Sequence, residues 1–319
     1  MPAEGVILDE ILTATFGIWH EGLSRGAYER YYAGQLALPW GRAHLRRWAL
    51  VEAAAVLASA KTYRFEAMLD GQSIRVVGLG AVFTQSAHRG RGHARVLVDR
   101  LLERAAADGA DLALLFSEIG PDYYARLGFS PVPRSVLTLQ AVESDRRGAP
   151  AMLVRAGDDR DLGDLAAMGQ ARAAGYRLHL DRDRDLIQSA IAKKRLLAGL
   201  GPAGARALLF FVAEEGASAV AYVIVSARGS DWVVDEAGDR DPSGARIGAM
   251  LQVLMARDPA ERRPTLAGWL PVDLCPPQVR IVERRPAPDV MMILPLSARG
   301  TPRSPLSERE VLYWEADKF

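Results

Sequence analysis

Cysteine is almost absent from this sequence, since Cys275 is the only one among 319 residues. A single thiol excludes an internal disulfide bond, and a chain without disulfides fits a reducing compartment, so we expect a cytoplasmic location. Cys275 stands between Leu274 and two prolines with no base nearby in the sequence, and we interpret it as unreactive. Spacings typical of metal ligands are also missing, so we predict no metal.

The sequence also lacks a strong charge of either sign and a long apolar run. Its 40 Lys and Arg residues nearly balance its 39 Asp and Glu residues, which gives a formal net charge of +1. Bulk charge therefore does not favour a nucleic-acid partner. No apolar run has the length of a transmembrane helix, and the start, MPAEGVILDE, is unlike a signal peptide, so no membrane association is expected. The composition, 49% apolar and 25% charged, is typical of a globular protein with room for two domains.

Strand and helix patterns alternate in the first half and predict an α/β (α+β) fold. Helices are predicted over residues 9–20 and 24–36, the second with Ser24 as its N-cap. Three strands are predicted over RRWALVEA, AVLASAKTYRFEAML and SIRVVGLGAVFT, with LDG as a hairpin turn between the last two. A helix, VLVDRLLERAAADG, a buried strand, LALLFSEIG, a short helix, PDYYARLGF, and a strand, VPRSVLTLQ, follow. The apolar face of the longer helix is predicted to consist of Val96, Leu97, Leu101 and Leu102.

A polar stretch with Gly and Pro, QAVESDRRGAPAM, divides the chain, and we place a domain boundary there. The predicted domains are residues 1–142 and 150–319. After the boundary the same order of elements begins again, with two helices, three strands (ALLFFVAEE, SAVAYVIVSAR and DWVVDEAGD) and a helix, SGARIGAMLQVLMARD. This recurrence predicts an internal repeat.

The stretch QSAHRGRGHARV has the composition of an anion-binding loop. It joins the end of a strand to the start of a helix, whose first N–H groups are unpaired and carry partial positive charge. Gly90 and Gly92 allow the backbone to approach a phosphate, and Arg89, Arg91 and Arg95 add positive charge. The pattern is neither GxGxxG nor a P-loop, and taken alone it could also be a solvated basic turn.

A second motif, YYARLGF from Tyr123 to Phe129, follows the next buried strand. The two motifs together resemble the GNAT superfamily of acetyl-CoA-dependent N-acyltransferases, whose signatures are [R/Q]xxGx[G/A] and [F/Y]YxxxGF. The resemblance covers roughly residues 45–135. It implies a GNAT fold, which is a mixed, splayed sheet flanked by helices, with acetyl-CoA as co-substrate and direct attack of an amine on the thioester.

Three further stretches, GAVFT, LLFSEIGPDYYARLGF and GLSRGAYERY, resemble fungal lysine N-acetyltransferases, which carry a second, degenerate GNAT-like domain. The mycobacterial aminoglycoside and lysine acetyltransferases are also similar in the loop, although their third domain would not fit in a chain of this length. The resemblance favours a small primary amine such as lysine as acceptor. An aminoglycoside or polyamine acceptor, and a catalytically silent CoA-binding sensor, stay open as alternatives.

Family roles can be transferred residue by residue. In the family, free backbone groups of the strand before the loop hold the pantetheine arm, and the loop's N–H groups hold the pyrophosphate. By resemblance, the cofactor-binding residues are Val82, Phe83, Thr84, Arg89, Gly90, Arg91, Gly92, His93, Ala94 and Arg95. Most members have Pro where Ser86 stands, which leaves the path of the strand end open.

The resemblance implies that Tyr124 is the general acid that protonates the departing thiolate, and the alternative for it is a packing role. Glu118, at the end of the preceding strand, could accept the amine's proton, or it could be a surface carboxylate. His88 and His93 flank the loop and are interpreted as phosphate contacts or packing residues.

The second domain is predicted to have lost CoA binding, because Asp239 and Asp241 stand where a phosphate would sit. We expect this domain to line the acceptor site with acidic residues that attract an ammonium group. The tail VLYWEADKF is apolar enough to be docked. By analogy with the mycobacterial family Asp317 or the Phe319 carboxylate could reach that site, and the alternative is that the tail simply packs on the second domain. The sequence leaves monomer and homodimer open.

Overall fold

A computed structural model describes residues 1–142, 152–255, 263–271 and 273–319. In this part of the chain, helices cover the faces of two mixed β-sheets. The helices are α1 (Gly5–Trp19), α2 (Arg25–Ala37), α3 (Pro39–His44), α4 (His93–Ala107), α5 (Asp122–Ala125), α6 (Leu162–Ala173), α7 (Arg184–Leu200) and α8 (Ala245–Met255). None of these helices combines the length and apolarity that crossing a bilayer would require.

The strands of the described residues belong to one or other of the two sheets. They are β1 (Leu45–Glu52), β2 (Ala55–Leu69), β3 (Gln72–Thr84), β4 (Leu112–Ser117), β5 (Ser130–Val132), β6 (Ser135–Ala141), β7 (Leu153–Ala156), β8 (Leu178–Leu180), β9 (Ala207–Glu215), β10 (Ser218–Arg228), β11 (Asp231–Asp239), β12 (Thr265–Gly268), β13 (Val279–Pro286), β14 (Val290–Pro295) and β15 (Val311–Leu312). The prediction of a mixed α/β fold is confirmed.

The first sheet has the strand order β15-β8-β2-β3-β4-β14-β5, and β1 pairs with β2 as well. Its centre is the long β2–β3 hairpin, whose turn has positive φ at Asp70 (51°) and Gly71 (80°). Two successive residues with positive φ are what a tight hairpin turn of the primed type needs, which is why the LDG signal identified this turn. From β3 the chain crosses through α4 and returns as β4, parallel to β3.

The second sheet has the order β13-β6-β12-β11-β10-β9-β7. It repeats the connectivity of the first at its centre, because β10 and β11 form an antiparallel pair and α8 then leads to β12, parallel to β11. The element order that the sequence repeats is therefore seen twice in space. The two cores consist mainly of aliphatic side chains from the inner faces of these strands and from α4 and α8.

The two sheets exchange strands across the predicted domain boundary. Strand β6 precedes the boundary but lies in the second sheet, between β12 and β13. Strand β14 comes from the far end of the chain but lies in the first sheet, between β4 and β5. The limits 1–142 and 150–319 stay a prediction, because the proposed junction falls largely in 143–151, outside the described residues. Each sheet nevertheless requires a strand from the other half.

Helix α4 shows how the amphipathic pattern produces packing. Its buried residues are Leu97, Val98, Leu101 and Leu102, which cover β2 and β3. Val96 was predicted on this face but is 41% exposed, and Val98 takes its place. Val98 stands three and four residues before Leu101 and Leu102 and so shares their face of the helix, whereas Val96 stands five and six residues before them and faces outward.

The tail is docked, as its apolar composition predicts. Strand β15 adds to the edge of the first sheet beside β8. Tyr313 and Trp314 are buried, and the Trp314 ring meets the ring of Trp269 edge-on at 5.9 Å. Glu315 and Lys318 then continue an ionic cluster with Arg134 and Asp289. Burial of two large aromatic rings accounts for the attachment of this segment.

Replacement of Met292 in β14 by Ala should destabilise the fold strongly. Met292 is fully buried between β4 and β5, and truncation of such a side chain costs about 2–5 kcal/mol. Ile281 in β13 is 46% exposed and provides the matched control, since Ile281→Ala should change the free energy of unfolding by less than about 1 kcal/mol. Urea unfolding measures both, and equal losses would contradict the structural role assigned to β14.

Candidate active site

The first sheet opens between its two central parallel strands. Pairing of β3 with β4 runs from Val76 opposite Leu112 to Leu79 opposite Leu115 and then stops, although both strands continue. Ala81 sits two residues beyond the last pair with φ of 48°, where β2 and β3 also shift register. A bulge of this kind bends a strand and increases its twist, so it turns the end of β3 away from β4. The sheet therefore carries a wedge-shaped gap with free backbone groups.

A cavity of about 500 Å³ opens at this gap. Aromatic and basic side chains make up most of its wall. Its lining residues are Trp19, Glu21, Tyr28, Tyr31, Tyr32, Gln35, Arg47, Lys61, Tyr63, Leu79, Gly80, Ala81, Val82, Phe116, Ser117, Glu118, Ile119, Tyr124, Lys193, Lys194, Leu197, Arg206, Glu315, Lys318 and Phe319. The volume suits a small-molecule ligand, and residues from both halves of the chain contribute.

The strand end assigned to pantetheine, Val82 to Thr84, forms the β3 side of the gap. Val82 lines the cavity, whereas Phe83 turns inward and is buried against the ring of Trp19. Towards β2 these residues remain paired, with Phe83 opposite Ser59 and Thr84 opposite Ala58. Their backbone edge towards β4 has no strand partner, because the pairing with β4 ended at Leu79. An extended ligand could therefore add to this edge.

The loop after β3 presents a row of free N–H groups. Gly90 (φ 76°) and Gly92 (φ 82°) are both left-handed, and Gly92 is the N-cap of α4. Within the described residues, no N–H group from Gly90 to Arg95 donates a hydrogen bond to protein. Left-handed backbone is strained for residues with a Cβ, which explains the two glycines. The loop has the free donors and the helix N-terminus that suit an anion.

The loop's side chains are largely exposed. Arg89 donates from Nε to the Thr84 carbonyl at 3.3 Å, and Arg95 lies 3.6 Å from Asp99 on the next turn of α4. The rings of His88 and His93 meet edge-on at 6.1 Å. The arginines are thus free to move towards a ligand, and the packed histidines agree with a supporting role.

Tyr124 is buried to 9% exposure in the short helix α5, yet it lines the cavity. Its ring packs edge-on against Tyr123 at 4.9 Å and Phe129 at 5.9 Å. Its hydroxyl has no hydrogen-bond partner among the described residues. Burial raises the pKa of Tyr124 to about 12, so the phenol keeps its proton at neutral pH. The side chain is therefore fixed in position and able to donate into the cavity.

Glu118 lies in the turn that follows β4 and lines the cavity at an exposed position. The turn is closed by Ser117, whose hydroxyl donates to the carbonyl of Gly120 at 2.5 Å. Gly120 has φ of 81°, which allows the tight reversal into α5. Glu118 and Tyr124 therefore line the same cavity from one connected segment.

Phe319 enters the cavity, but Asp317 does not line it. The Phe319 ring stacks on Tyr63 at 4.6 Å and lies over Gly78 and Gly80 of β3. Asp317 turns away from the cavity and is 2.8 Å from Arg182, in a buried cluster that also holds Glu236. Burial raises the pKa of Asp317 to about 6 against the pull of Arg182. Of the two tail groups predicted to reach the acceptor site, only Phe319 lines the cavity.

The second half lines the cavity mainly with basic residues rather than with the expected acidic ones, and among its described lining residues Glu315 is the only acidic one. Helix α7 contributes Lys193 and Lys194, and the segment before β9 contributes Arg206. The sequence run AKKRLL contains Lys193 and Lys194, but helical periodicity did not indicate that this part of the helix faces the gap. Arg47 and Lys61 on β1 and β2 are basic as well and were missed, since strand alternation does not identify a shared cavity.

The counterpart loop in the second half is closed by its own carboxylate. Asp239 accepts from the Arg246 N–H at 3.0 Å and from the Asp241 N–H at 2.8 Å. Asp241 in turn accepts from the Ser243 N–H at 3.0 Å. These carboxylates occupy the positions that a phosphate would need. Gly244 is left-handed, like Gly92, so the turn shape is kept, but the N–H groups of Gly244, Ala245 and Arg246 donate to protein acceptors.

Possible metal ligands are not grouped anywhere in the described part of the chain, where no cluster of three or more His, Cys, Asp or Glu could hold a metal ion. The donors gathered at the gap are instead N–H groups and a phenol. This set suits phosphates and an acyl carbonyl better than it suits a cation.

Comparison with known proteins agrees with this geometry. Residues 41–132 match the family described as acetyltransferase (GNAT) domain. The segment contains β2, β3, the glycine loop, α4, β4 and Tyr124. No curated protein matches the sequence.

Solved structures share the fold over most of the chain. A GCN5-related N-acetyltransferase from Anabaena variabilis is 14% identical, with a TM-score of 0.66, and the match covers 93% of this chain and 72% of that one. A GCN5-related N-acetyltransferase from Kribbella flavida is 18% identical, with a TM-score of 0.66 and coverage of 92% and 69%. Eis1 from Mycobacterium abscessus is 17% identical, with a TM-score of 0.51 and coverage of 86% and 71%.

Replacement of Gly78 by Ala should expel the Phe319 ring from the cavity. A Cβ on Gly78 would lie 2.5 Å from Cζ of Phe319, which real contacts do not tolerate. We expect a loss of about 1–3 kcal/mol in unfolding free energy, as for other overpacked sites. In a Phe319→Ala background most of that loss should disappear, because the ring that clashes is gone. Additive losses in this double-mutant cycle, measured by urea unfolding, would contradict the packing.

Proposed function

We propose that the protein is an acetyl-CoA-dependent N-acetyltransferase that acetylates the primary amine of a small molecule such as lysine. One observation carries this proposal: the unpartnered hydroxyl of Tyr124 and the free edge of β3 meet at a single cavity. The GNAT-type domain over residues 41–132 supports it. The whole reaction can then take place in the gap between β3 and β4.

Acetyl-CoA would be held by the backbone on one side of this gap. The free N–H groups from Gly90 to Arg95 are donors for the pyrophosphate, and Arg89, Arg91 and Arg95 add exposed positive charge. The edge of β3 from Val82 to Thr84 would pair with the pantetheine amides. The bound co-substrate supplies the thioester whose carbonyl carbon the amine attacks.

Two side chains of the cavity would move the protons. Glu118 would accept a proton from the amine, directly or through water, as the carbon–nitrogen bond forms. Tyr124 would donate its proton to the sulfur as the carbon–sulfur bond breaks, and the products are the N-acetyl amine and the CoA thiol. Proton transfer through water from Glu118 to Tyr124 restores both groups. By analogy with the mycobacterial family, a carboxylate at Phe319 is the second candidate for the base, since its backbone carbon lies near Gly80.

A single acetyl-CoA site per chain is part of this proposal. The second half keeps the connectivity of the domain, but Asp239 fills the start of α8. We infer that this half is a degenerate GNAT-like domain that shapes the acceptor site through α7. A silent CoA-binding sensor would not need the unpartnered phenol of Tyr124, so catalysis is the better explanation.

Tyr124→Phe should lower the rate of thiol release from acetyl-CoA in an amine panel that includes lysine, polyamines and an aminoglycoside. A positioned proton donor contributes about 10²–10⁴-fold, so kcat should fall by that factor while the Kd for CoA stays unchanged. Tyr123→Phe is the matched control, because Tyr123 packs beside Tyr124 without lining the cavity. Equal rates for wild type and Tyr124→Phe would remove Tyr124 from the mechanism. Failure to acetylate any amine would contradict the proposed activity.

Gly92→Val should weaken acetyl-CoA binding by more than about 10-fold. Gly92 has φ of 82° and begins α4, so valine would strain the turn and block approach to its N–H groups. Gly216→Val is the control, since Gly216 is also left-handed (φ 63°) but lies in the distant β9–β10 turn. Calorimetric titration should give one site per chain in both proteins, with only the Gly92 variant weakened. Two equivalent sites in the wild type would contradict the assignment.

A further inference from the structure

Three basic side chains of the cavity lack acidic partners among the described residues. The side chain of Arg47 reaches the cavity from β1 with only 4% exposure, and neither its Nε nor its Nη1 has a hydrogen-bond partner. Lys61 on β2 and Lys193 on α7 line the same cavity, and neither forms an ion pair in the described part of the chain. Lys193 donates only to the Lys318 carbonyl.

The other charges that line the cavity are compensated or lie at its rim. Lys194 pairs with Asp235 at 2.7 Å, and Arg206 pairs with Glu21 at 3.0 Å. Lys318 and Glu315 belong to the cluster around Arg134, where Lys318 lies 2.9 Å from Asp289. Glu118 is exposed at the edge of the gap. Arg47, Lys61 and Lys193 thus form no ion pair among the described residues, and only Lys193 has its charge partly offset by nearby carboxylates, those of Asp317, Asp235 and Glu315.

The ring of Tyr32 joins two of these cations. The Arg47 guanidinium lies 5.1 Å from its centroid and the Lys61 ammonium lies 5.3 Å from it. Such contacts offset only part of the cost of burying charge. Burial and the nearby Arg47 lower the pKa of Lys61, and burial lowers the pKa of Lys193 to about 8. Lys61 is therefore repelled by both Arg47 and Lys193, and an anion bound among the three cations would relieve that repulsion.

We propose that Arg47, Lys61 and Lys193 form a carboxylate subsite in the acceptor cavity. The acceptor is then an amine that carries a carboxylate, and polycations such as polyamines and aminoglycosides are disfavoured. The inference rests on the proposed function, because it assigns the acceptor of that same site. Lys61 stands opposite Gly80, one residue before the bulge at Ala81, so the subsite adjoins the place where β3 leaves β4.

An arginine with free N–H groups and two lysines together suit a carboxylate. Arg47 can offer paired N–H donors, and the lysines add point charges from two other directions. The amine of the same molecule would extend towards Tyr124 and Glu118. A polycation would instead add positive charge to a wall that already holds an excess.

The test compares amines that differ only in a carboxylate. Lysine with cadaverine, and ornithine with putrescine, are the two matched pairs. For the wild type, kcat/KM should be at least about 10-fold higher for the member with the carboxylate, since a charged hydrogen bond contributes about this factor or more. In Arg47→Met, KM for lysine should rise about 10- to 100-fold with little change in kcat, and cadaverine should be unaffected.

Arg46→Met is the matched control, because Arg46 is exposed on the same strand and donates only to the carbonyls of Arg42 and Leu45. It should leave both members of each pair unchanged. The melting temperature tests whether the three cations lack compensation. If they do, removal of one cation should leave the melting temperature unchanged or raise it by a few degrees. Lys61→Met provides a second variant with the same expectations.

Calorimetric binding of lysine and cadaverine to the CoA-loaded protein gives a result that does not depend on turnover. Tighter binding of lysine, lost in Arg47→Met, supports the subsite even if the reaction assay fails. Acetylation of polyamines at least as fast as lysine would leave the proposed activity standing but overturn the subsite. A rival occupant is a carboxylate at Phe319. In that case Arg47→Met would lower the melting temperature and affect both amines alike, which would also overturn the inference.

Discussion

The loss of pairing between β3 and β4 beyond Leu79 and Leu115 is the constraint on which the site depends. A continuous sheet would have hydrogen-bonded the backbone groups of Val82 to Thr84 and left no room between the strands. The bulge at Ala81 prevents this at the cost of a left-handed backbone at a residue with a Cβ. The pairing of the long β2–β3 hairpin offsets this backbone strain, because it fixes both ends of the bulged segment. The cavity, the free strand edge and the loop's position all follow from this one interruption.

Ionic contacts then fix the two halves and the tail around the gap. Arg134 joins Asp289 and Glu315 near the first sheet, and Arg182 joins Glu236 and Asp317 in the second half. Buried ion pairs add little net stability, because desolvation opposes their attraction, but a broken pair is costly. These ionic clusters therefore determine which arrangement the tail adopts, but they add little to the free energy that holds it there. The tail's aromatic side chains supply the burial energy.

Local features were predictable from the sequence, whereas contacts between elements that are distant in the sequence were not. β2, the hairpin turn, Ser24 as N-cap and the glycine loop depend on neighbouring residues, and each is found where it was predicted. Strand β14 was not predicted, and it pairs with β4 across a long stretch of sequence, which local strand patterns do not identify. The basic wall was missed for the same reason. Its cations come from β1, β2 and α7, and only the fold shows that they face each other.

The exchange of β6 and β14 has a consequence for how the protein is made. During synthesis, residues 41–132 leave the ribosome well before Val290, so the sheet that carries the site is first built with an unfilled place between β4 and β5. This place is filled only when β14 arrives, and the cavity is complete only when Phe319 reaches Gly78. Contacts that join distant parts of a chain form late and expose strand edges while they wait. A nascent chain should therefore lack the complete cavity and leave the edges of β4 and β5 unpaired until β14 is in place.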